Sequence, residues 1–312
     1  MNEVSRKILE QVNSVIIGKE AVTEKVLMAV LAQGHVLLED VPGVGKTTMA
    51  LAFARTLGLD SRRVQFTSDT MPSDIIGFSL YNKETGRFDY KSGAVMTNLL
   101  LADEINRTSS KTQSALLEAM EEYQVTVDGH TYPLPKPFVV LATQNPVGSA
   151  GTQLLPSSQL DRFMIRTTMG YPDRQSQVDI LRERHHENPL DRLQGVVTCE
   201  ELLELIESAK QVHIADAVYD YIVDLVDATR SSELVELGVS LRGALALCRM
   251  AKAHAFVRGG DFVTPEDVYQ VFDDVCAHRL VLSAKARLGK ITAREITEQL
   301  RQQVPVPQVA QL

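Results

Sequence analysis

The sequence predicts an α/β core, a parallel sheet with helices on both faces, followed by an all-helical lid. Three observations predict it. Strand-length apolar runs alternate with helical stretches up to about residue 168. One of those runs, His35-Val36-Leu37-Leu38, feeds a glycine-rich loop that opens a helix. After Tyr171-Pro172-Asp173 no strand pattern follows, and the remainder reads as capped helices. The expected division is a core over residues 1–187 and a lid over 188–312, with an extended, mobile tail from Gln302.

The elements follow in order. Residues 3–14 and 20–32 read as helices joined by Val15-Ile16-Ile17-Gly18-Lys19. Strands are expected at 35–39, 63–67, 98–103, 137–142 and 163–168. Two hairpins interrupt the alternation. Ile76–Tyr81 and Arg87–Tyr90 flank Asn82–Gly86, and Gln124–Val127 and His130–Tyr132 flank Asp128-Gly129. Residues 173–187 read as a helix ended by Asn188-Pro189. Thr198-Cys199-Glu200-Glu201 is a capping box, Ser240 caps a helix stopped by Gly259-Gly260, and Thr264-Pro265-Glu266-Asp267 starts another.

The loop is Glu39-Asp40-Val41-Pro42-Gly43-Val44-Gly45-Lys46-Thr47-Thr48. Glycines let backbone N–H groups converge on one anion, and the helix N-terminus adds its positive dipole end. Pro42 to Thr48 thus form a phosphate cradle. Lys46 is expected to reach the β- and γ-phosphates of ATP, and the Thr47 hydroxyl to ligate Mg²⁺. Asp40 stands where this pattern normally has glycine, so its carboxylate must point away from the phosphates.

Two further strands end in polar residues. Asn98–Ala102 leads into Asp103-Glu104, where Asp103 would complete the metal shell and Glu104 would polarise the attacking water. Pro137–Ala142 leads to Asn145, whose amide suits both a γ-phosphate and a water. Taken singly, each also reads as a solvated turn at a strand end.

The order of these motifs resembles an AAA+ ATPase, with Walker A, Walker B and sensor 1. The text Asp103-Glu104-Ile105-Asn106-Arg107, Lys111–Glu122, Ala142–Pro146 and Leu160-Asp161-Arg162-Phe163 resembles the MoxR family in particular. The resemblance covers about residues 17–249. It implies that Ile17-Gly18 line the adenine pocket and that the hairpins handle a client. It implies that Arg242, after Ser240, acts as sensor 2 and reaches across the cleft to the γ-phosphate. Arg162 would be a finger entering a neighbour's site, with Arg107 as its rival. The implied protein is a Mg²⁺-dependent ATP/ADP-binding hydrolase working as a ring, most simply a hexamer. Its implied partners are a protein client and a protein with a von Willebrand factor A domain, in maturation, metal insertion or complex assembly. In the second hairpin, Val125 and Val127 are the residues expected to serve the client.

Composition limits the alternatives. The net charge of −8, the absence of Trp and the lack of a basic run disfavour nucleic acid as partner. No apolar run approaches a membrane span, and the N-terminus lacks a signal-peptide core. Cys199, Cys248 and Cys276 have no metal spacing and suit reduced thiols of a cytoplasmic protein. A nucleotide-gated switch with little turnover, and a DNA-stimulated motor, remain open beside the remodelling ATPase.

Overall fold

The computed structural model describes residues 1–40, 43–145, 155–183 and 188–307. Helix α1 (Glu3–Asn13) begins where the Asn2 side chain accepts from the amides of Val4 and Ser5. It buries Ile8, Leu9 and Val12 against α2 (Glu20–Leu31). Strand β1 (Val36–Glu39) leads through the loop into α3 (Lys46–Thr56), then β2 (Ser61–Gln65) and α4 (Pro72–Ile76). Next come the hairpin β3 (Gly77–Asn82) and β4 (Arg87–Ser92), strand β5 (Leu99–Asp103) and helix α5 (Ser110–Glu122). Hairpin β6 (Gln124–Val127) and β7 (His130–Pro133), β8 (Val139–Gln144), α6 (Ser157–Leu160), β9 (Ile165–Thr167) and α7 (Arg174–Glu183) follow.

Five strands form one parallel sheet in the order β2-β5-β8-β1-β9. Strands β5 and β8 are buried along their whole length because helices cover both faces, which is why they read as unbroken apolar runs. Alternate residues separate two packing layers. Leu38, Leu99, Leu101, Val139 and Leu141 join α1, α2, α3 and the lid helices. Leu37, Leu100, Ala102, Val140 and Ala142 join α5, Phe138 and Phe163. Strand β1 lies between β8 and β9, so the carboxyl ends of β1, β8 and β5 stand side by side. That row of ends positions the site.

Both hairpins form. Asp128 and Gly129 both have positive φ (49° and 79°), the geometry of a tight two-residue turn. The Tyr90 and Tyr132 rings stack at 4.0 Å and tie one hairpin to the other. Phe88 (72% exposed) and Tyr81 (51%) point outward from the first hairpin. The second differs from expectation. Val125 and Val127 are buried, and Val125 packs in the layer with α5, so neither faces a client.

The lid contains α8 (Cys199–Lys210), α9 (Asp216–Ser231), α10 (Leu241–Arg258), α11 (Pro265–Cys276), α12 (Ala284–Leu288) and α13 (Ala293–Gln303). Thr198, Ser240 and Thr264 cap their helices as the sequence predicts, and Gly259 ends α10 at φ 87°. The lid also holds a short antiparallel ribbon, β10 (Val235–Leu237) with β11 (Val281–Leu282). Segments of three and two residues are too short to give a readable alternation. His185, His186 and the end of the helix expected to reach residue 187 lie outside the described residues. No described helix is long and apolar enough to cross a membrane.

Candidate active site

The loop after β1 meets the ends of β5 and β8 in one cleft. Gly43, Gly45, Lys46, Thr47, Thr48, Arg63, Gln65, Asp103, Glu104 and Asn145 line it. Val44 lies between the two loop glycines, and Pro42 falls outside the described residues. Gly43 and Gly45 both have positive φ (87° and 97°), which an L side chain rarely adopts. Gly45 is the N-cap of α3, and no described side chain caps that helix. Buried Lys46 donates to the Asp40 carbonyl at 2.7 Å. Burial lowers its pKa, while the charges of Asp40, Asp103 and Glu104 oppose that shift. The Asp40 carboxylate accepts from the amides of Met169 and, at 3.0 Å, Gly170. It therefore points toward the chain after β9 and away from the cradle.

The acidic pair is tightly held. Asp103 accepts from Thr143 Oγ1 at 2.6 Å and pairs with Arg63 at 2.7 Å. The Glu104 amide donates to the same Thr143 hydroxyl at 2.8 Å. Glu104 sits at φ 57°, ψ 48°, a left-handed conformation that costs a non-glycine residue about 1–3 kcal/mol. Its carboxylate accepts from Asn145 Nδ2 at 2.9 Å, Gln65 Nε2 at 3.0 Å and Arg107 Nη1 at 2.8 Å. Burial pushes the Glu104 pKa up, but the bonds from Arg107 and Asn145 outweigh it, so the group stays ionised below its ordinary range. Arg107 is thus bound to the acid of its own chain. Buried Asn145 Oδ1 has no hydrogen-bond partner among the described residues.

These residues fit a nucleotide phosphate and a small divalent cation. A Cβ at Gly43 would meet nothing within 4 Å among the described residues. The uncapped start of α3 and Lys46 offer donors to an anion, and Thr47 and Asp103 offer hard oxygens. Gly18 lies beside the start of α7, next to the stretch that follows Met169 and Gly170, whose amides hold Asp40 of the loop. A Cβ on Gly18 would fall 2.3 Å from Ser176 Oγ, and Lys19 Nζ donates to the Tyr171 carbonyl at 2.9 Å.

Arg242, expected at this cleft, does not line it, and Arg162, expected to serve a neighbour, does not either. Arg162 and Arg242 line a different pocket with Gln33, His35, Glu121 and Asp161. Glu121 pairs with Arg162 Nε at 3.0 Å and also with Arg242 Nη2. Gln33 and His35 precede β1, whereas the phosphate loop follows it. The length of β1, roughly 13 Å at about 3.3 Å per residue, separates the two places. The expectation that Arg242 reaches its own chain's γ-phosphate is therefore corrected. Ser240 starts α10 at the opposite end of the sheet, where Ser240 Oγ donates to Asp161 at 3.1 Å.

Sequence reasoning missed Arg63, Gln65, Thr143 and Glu121. The first two lie on the edge strand expected at 63–67 and found at Ser61–Gln65, where they read as exposed polar residues of a strand and not as part of a site. Thr143 could have been read as the polar residue beneath Asn145.

The chain is similar to known proteins over nearly its whole length. Residues 35–165 match a family model described as ATPase family associated with various cellular activities (AAA), and residues 227–300 match an AAA lid domain. The chain is 46% identical to the uncharacterized protein YeaC of Bacillus subtilis, over 96% of this chain and 94% of YeaC. It is 40% identical to Chaperone MoxR1 of Mycobacterium tuberculosis, over 99% of this chain and 84% of that protein. A crystal structure of a candidate ATPase from Cytophaga hutchinsonii superposes with a TM-score of 0.90 at 39% identity, covering 97% of this chain and 94% of the other.

Proposed function

The chain belongs to the MoxR family of AAA ATPases, and from that premise we propose that it hydrolyses ATP at the junction between copies of itself in a ring, most simply a hexamer. One observation carries this reading. The phosphate loop, Asp103, Glu104 and Asn145 stand at the carboxyl end of the sheet, while Arg162 and Arg242 stand at its amino end. A subunit thus holds a phosphate site without Arg162 and Arg242, and holds that pair away from its own phosphate site. Head-to-tail packing in a closed ring unites them.

In this scheme Lys46 and the loop amides hold the triphosphate, and Thr47 and Asp103 hold Mg²⁺. The cation would neutralise phosphate charge when bound. Glu104 takes the proton of the attacking water, and Asn145 orients that water. Both functions require Glu104 to exchange its bonds to Gln65 and Arg107 for one to water. Arg162 and Arg242 of the adjoining subunit leave Glu121 and meet the γ-phosphate. The core over 1–187 and the lid over 188–312 then shift as hydrolysis removes that anion. Exposed Phe88 and Tyr81 on the first hairpin pass the change to a protein client. The chaperone name of the mycobacterial relative favours a client of this class, and a von Willebrand factor A partner remains part of the proposal.

The test is ATPase turnover per subunit against protein concentration, with and without Mg²⁺, using Glu104→Gln as the blank. The rate per subunit is expected to rise with concentration together with assembly by light scattering. An active monomer would overturn the junctional site.

A further inference from the structure

The amino end of the sheet contains a buried cation that the proposed hydrolysis does not use. Arg279 follows α11, and its side chain is 2% exposed. Its guanidinium donates through Nε to Asp161 Oδ1 at 2.9 Å. Nη2 donates to the carbonyls of Asp161 at 3.2 Å and Phe163 at 2.6 Å. Nη1 lies 3.2 Å from the Met164 carbonyl and also bonds the Val275 carbonyl and, at 2.9 Å, His278 Nε2. One lid side chain thus grips the core main chain at Asp161, Phe163 and Met164, on both sides of Arg162.

The surroundings serve this grip. A Cβ on Gly243 of α10 would fall 2.8 Å from Arg279 Cδ, so glycine leaves the room the side chain occupies. Phe163 is fully buried and anchors the segment from below. Asp161 is also held from the lid by Ser240 at 3.1 Å. Burying a guanidinium is costly unless its donors are met, and here they are met by the backbone on either side of Arg162. Its planar fork suits several carbonyls at once, which a lysine ammonium does not reproduce.

We propose that Arg279 is a positioning residue for Arg162, through which the lid of one subunit sets the hydrolysis rate at its neighbour's site. The proposal rests on the junctional reading above. A finger must be held to within about 0.5 Å to act on a transition state, and the 161–164 segment is the only main chain that carries it. Movement of α11 against β9 would retract Arg162 without touching the phosphate loop of either subunit.

A mixing experiment tests it. Glu104→Gln subunits cannot hydrolyse ATP but carry an intact Arg162. Arg279→Gln subunits keep their own phosphate site but offer a slack finger. Alone, Arg279→Gln is expected to bind a fluorescent ADP analogue within about twofold of the parent and to lose at least about tenfold in turnover. Mixed with excess Glu104→Gln, its turnover should recover severalfold. A subunit that is merely destabilised would gain nothing from the mixture. Arg162→Ala with Glu104→Gln is the control for the junctional site. Recovery in the control without recovery for Arg279→Gln overturns the positioning role. No recovery in the control overturns the junctional reading itself. Should Arg279→Gln fail to fold, Gly243→Ala displaces the guanidinium while keeping its charge, and the same mixture decides.

Discussion

The two ends of the parallel sheet are built in opposite ways. At the carboxyl end, three short chain segments supply almost every functional group: the loop 43–48, Asp103-Glu104 and Asn145. Adjacent strand ends bring them together, so the sheet order alone assembles the site. At the amino end, Glu121, the Asp161-Arg162 pair, Arg242 and Arg279 come from four places and meet only because the lid packs on the core. The phosphate end is therefore local and rigid, and the arginine end depends on tertiary docking. A cation stationed at the end of the sheet away from its own phosphates is useful to another molecule. Removing it should cost the most. Arg162→Ala is expected to lower turnover by about 10³- to 10⁵-fold, the contribution of a finger supplied in trans. Nucleotide affinity measured with a fluorescent analogue should stay within about threefold. A loss of less than tenfold at saturating protein would dissolve the contrast between the two ends.

The scaffold of the arginine end makes a second, smaller prediction. His35 precedes β1 and is fully enclosed. Its Nε2 donates to the Met120 carbonyl at 3.0 Å, its Nδ1 accepts from the Val140 amide at 3.0 Å, and the Tyr123 and Phe138 rings pack on it. Burial pushes its pKa down from 6.5 to about 4. The folded protein therefore refuses a proton that the unfolded chain accepts. Above pH 6.5 both states are neutral and stability is complete. As pH falls from 6.5 to about 4, the unfolded state gains the proton first and stability declines. At about 1.4 kcal/mol per pH unit, the interval amounts to roughly 3 kcal/mol. Urea unfolding midpoints at pH 7 and pH 4.5 should show this slope in the parent chain. His35→Phe should be less stable at pH 7 but should show a shallower fall. Equal slopes would assign the acid sensitivity to other groups, such as buried His278.

This contrast also explains what the sequence disclosed. The five sheet strands, the phosphate loop and the acidic pair were legible because each is a contiguous motif with a fixed place on its own strand. Asp40 was legible by exclusion, since a carboxylate cannot face a triphosphate. The place of Arg242 was not. A helix start says where an arginine lies along its helix and nothing about which end of a distant sheet that helix caps. Val125 and Val127 misled because alternation marks two faces without saying which is covered, and here theirs is buried, with Val125 packed in the layer of α5. Arg279 gave no signal, since its worth lies in carbonyls more than a hundred residues away.

The smallest effect is expected within the phosphate end itself. Glu104 is engaged by three donors, and their sequence origins differ. Asn145 follows β8, Arg107 lies one turn beyond Glu104, and Gln65 comes from the edge strand β2. The Gln65 bond joins an exposed side chain to the partly buried Glu104, and its net worth is about 0.5–1.5 kcal/mol. Releasing it should make the carboxylate easier to turn toward water, not harder. Gln65→Ala is therefore expected to raise basal turnover by about two- to tenfold, the range that this energy spans. Arg162→Ala in the same background should still abolish the gain. Turnover that falls in Gln65→Ala would mean that Gln65 aims Glu104 at its target instead of holding it back. In that case the phosphate end would be already aligned before any neighbour arrives, and all control of the rate would pass to the arginine end.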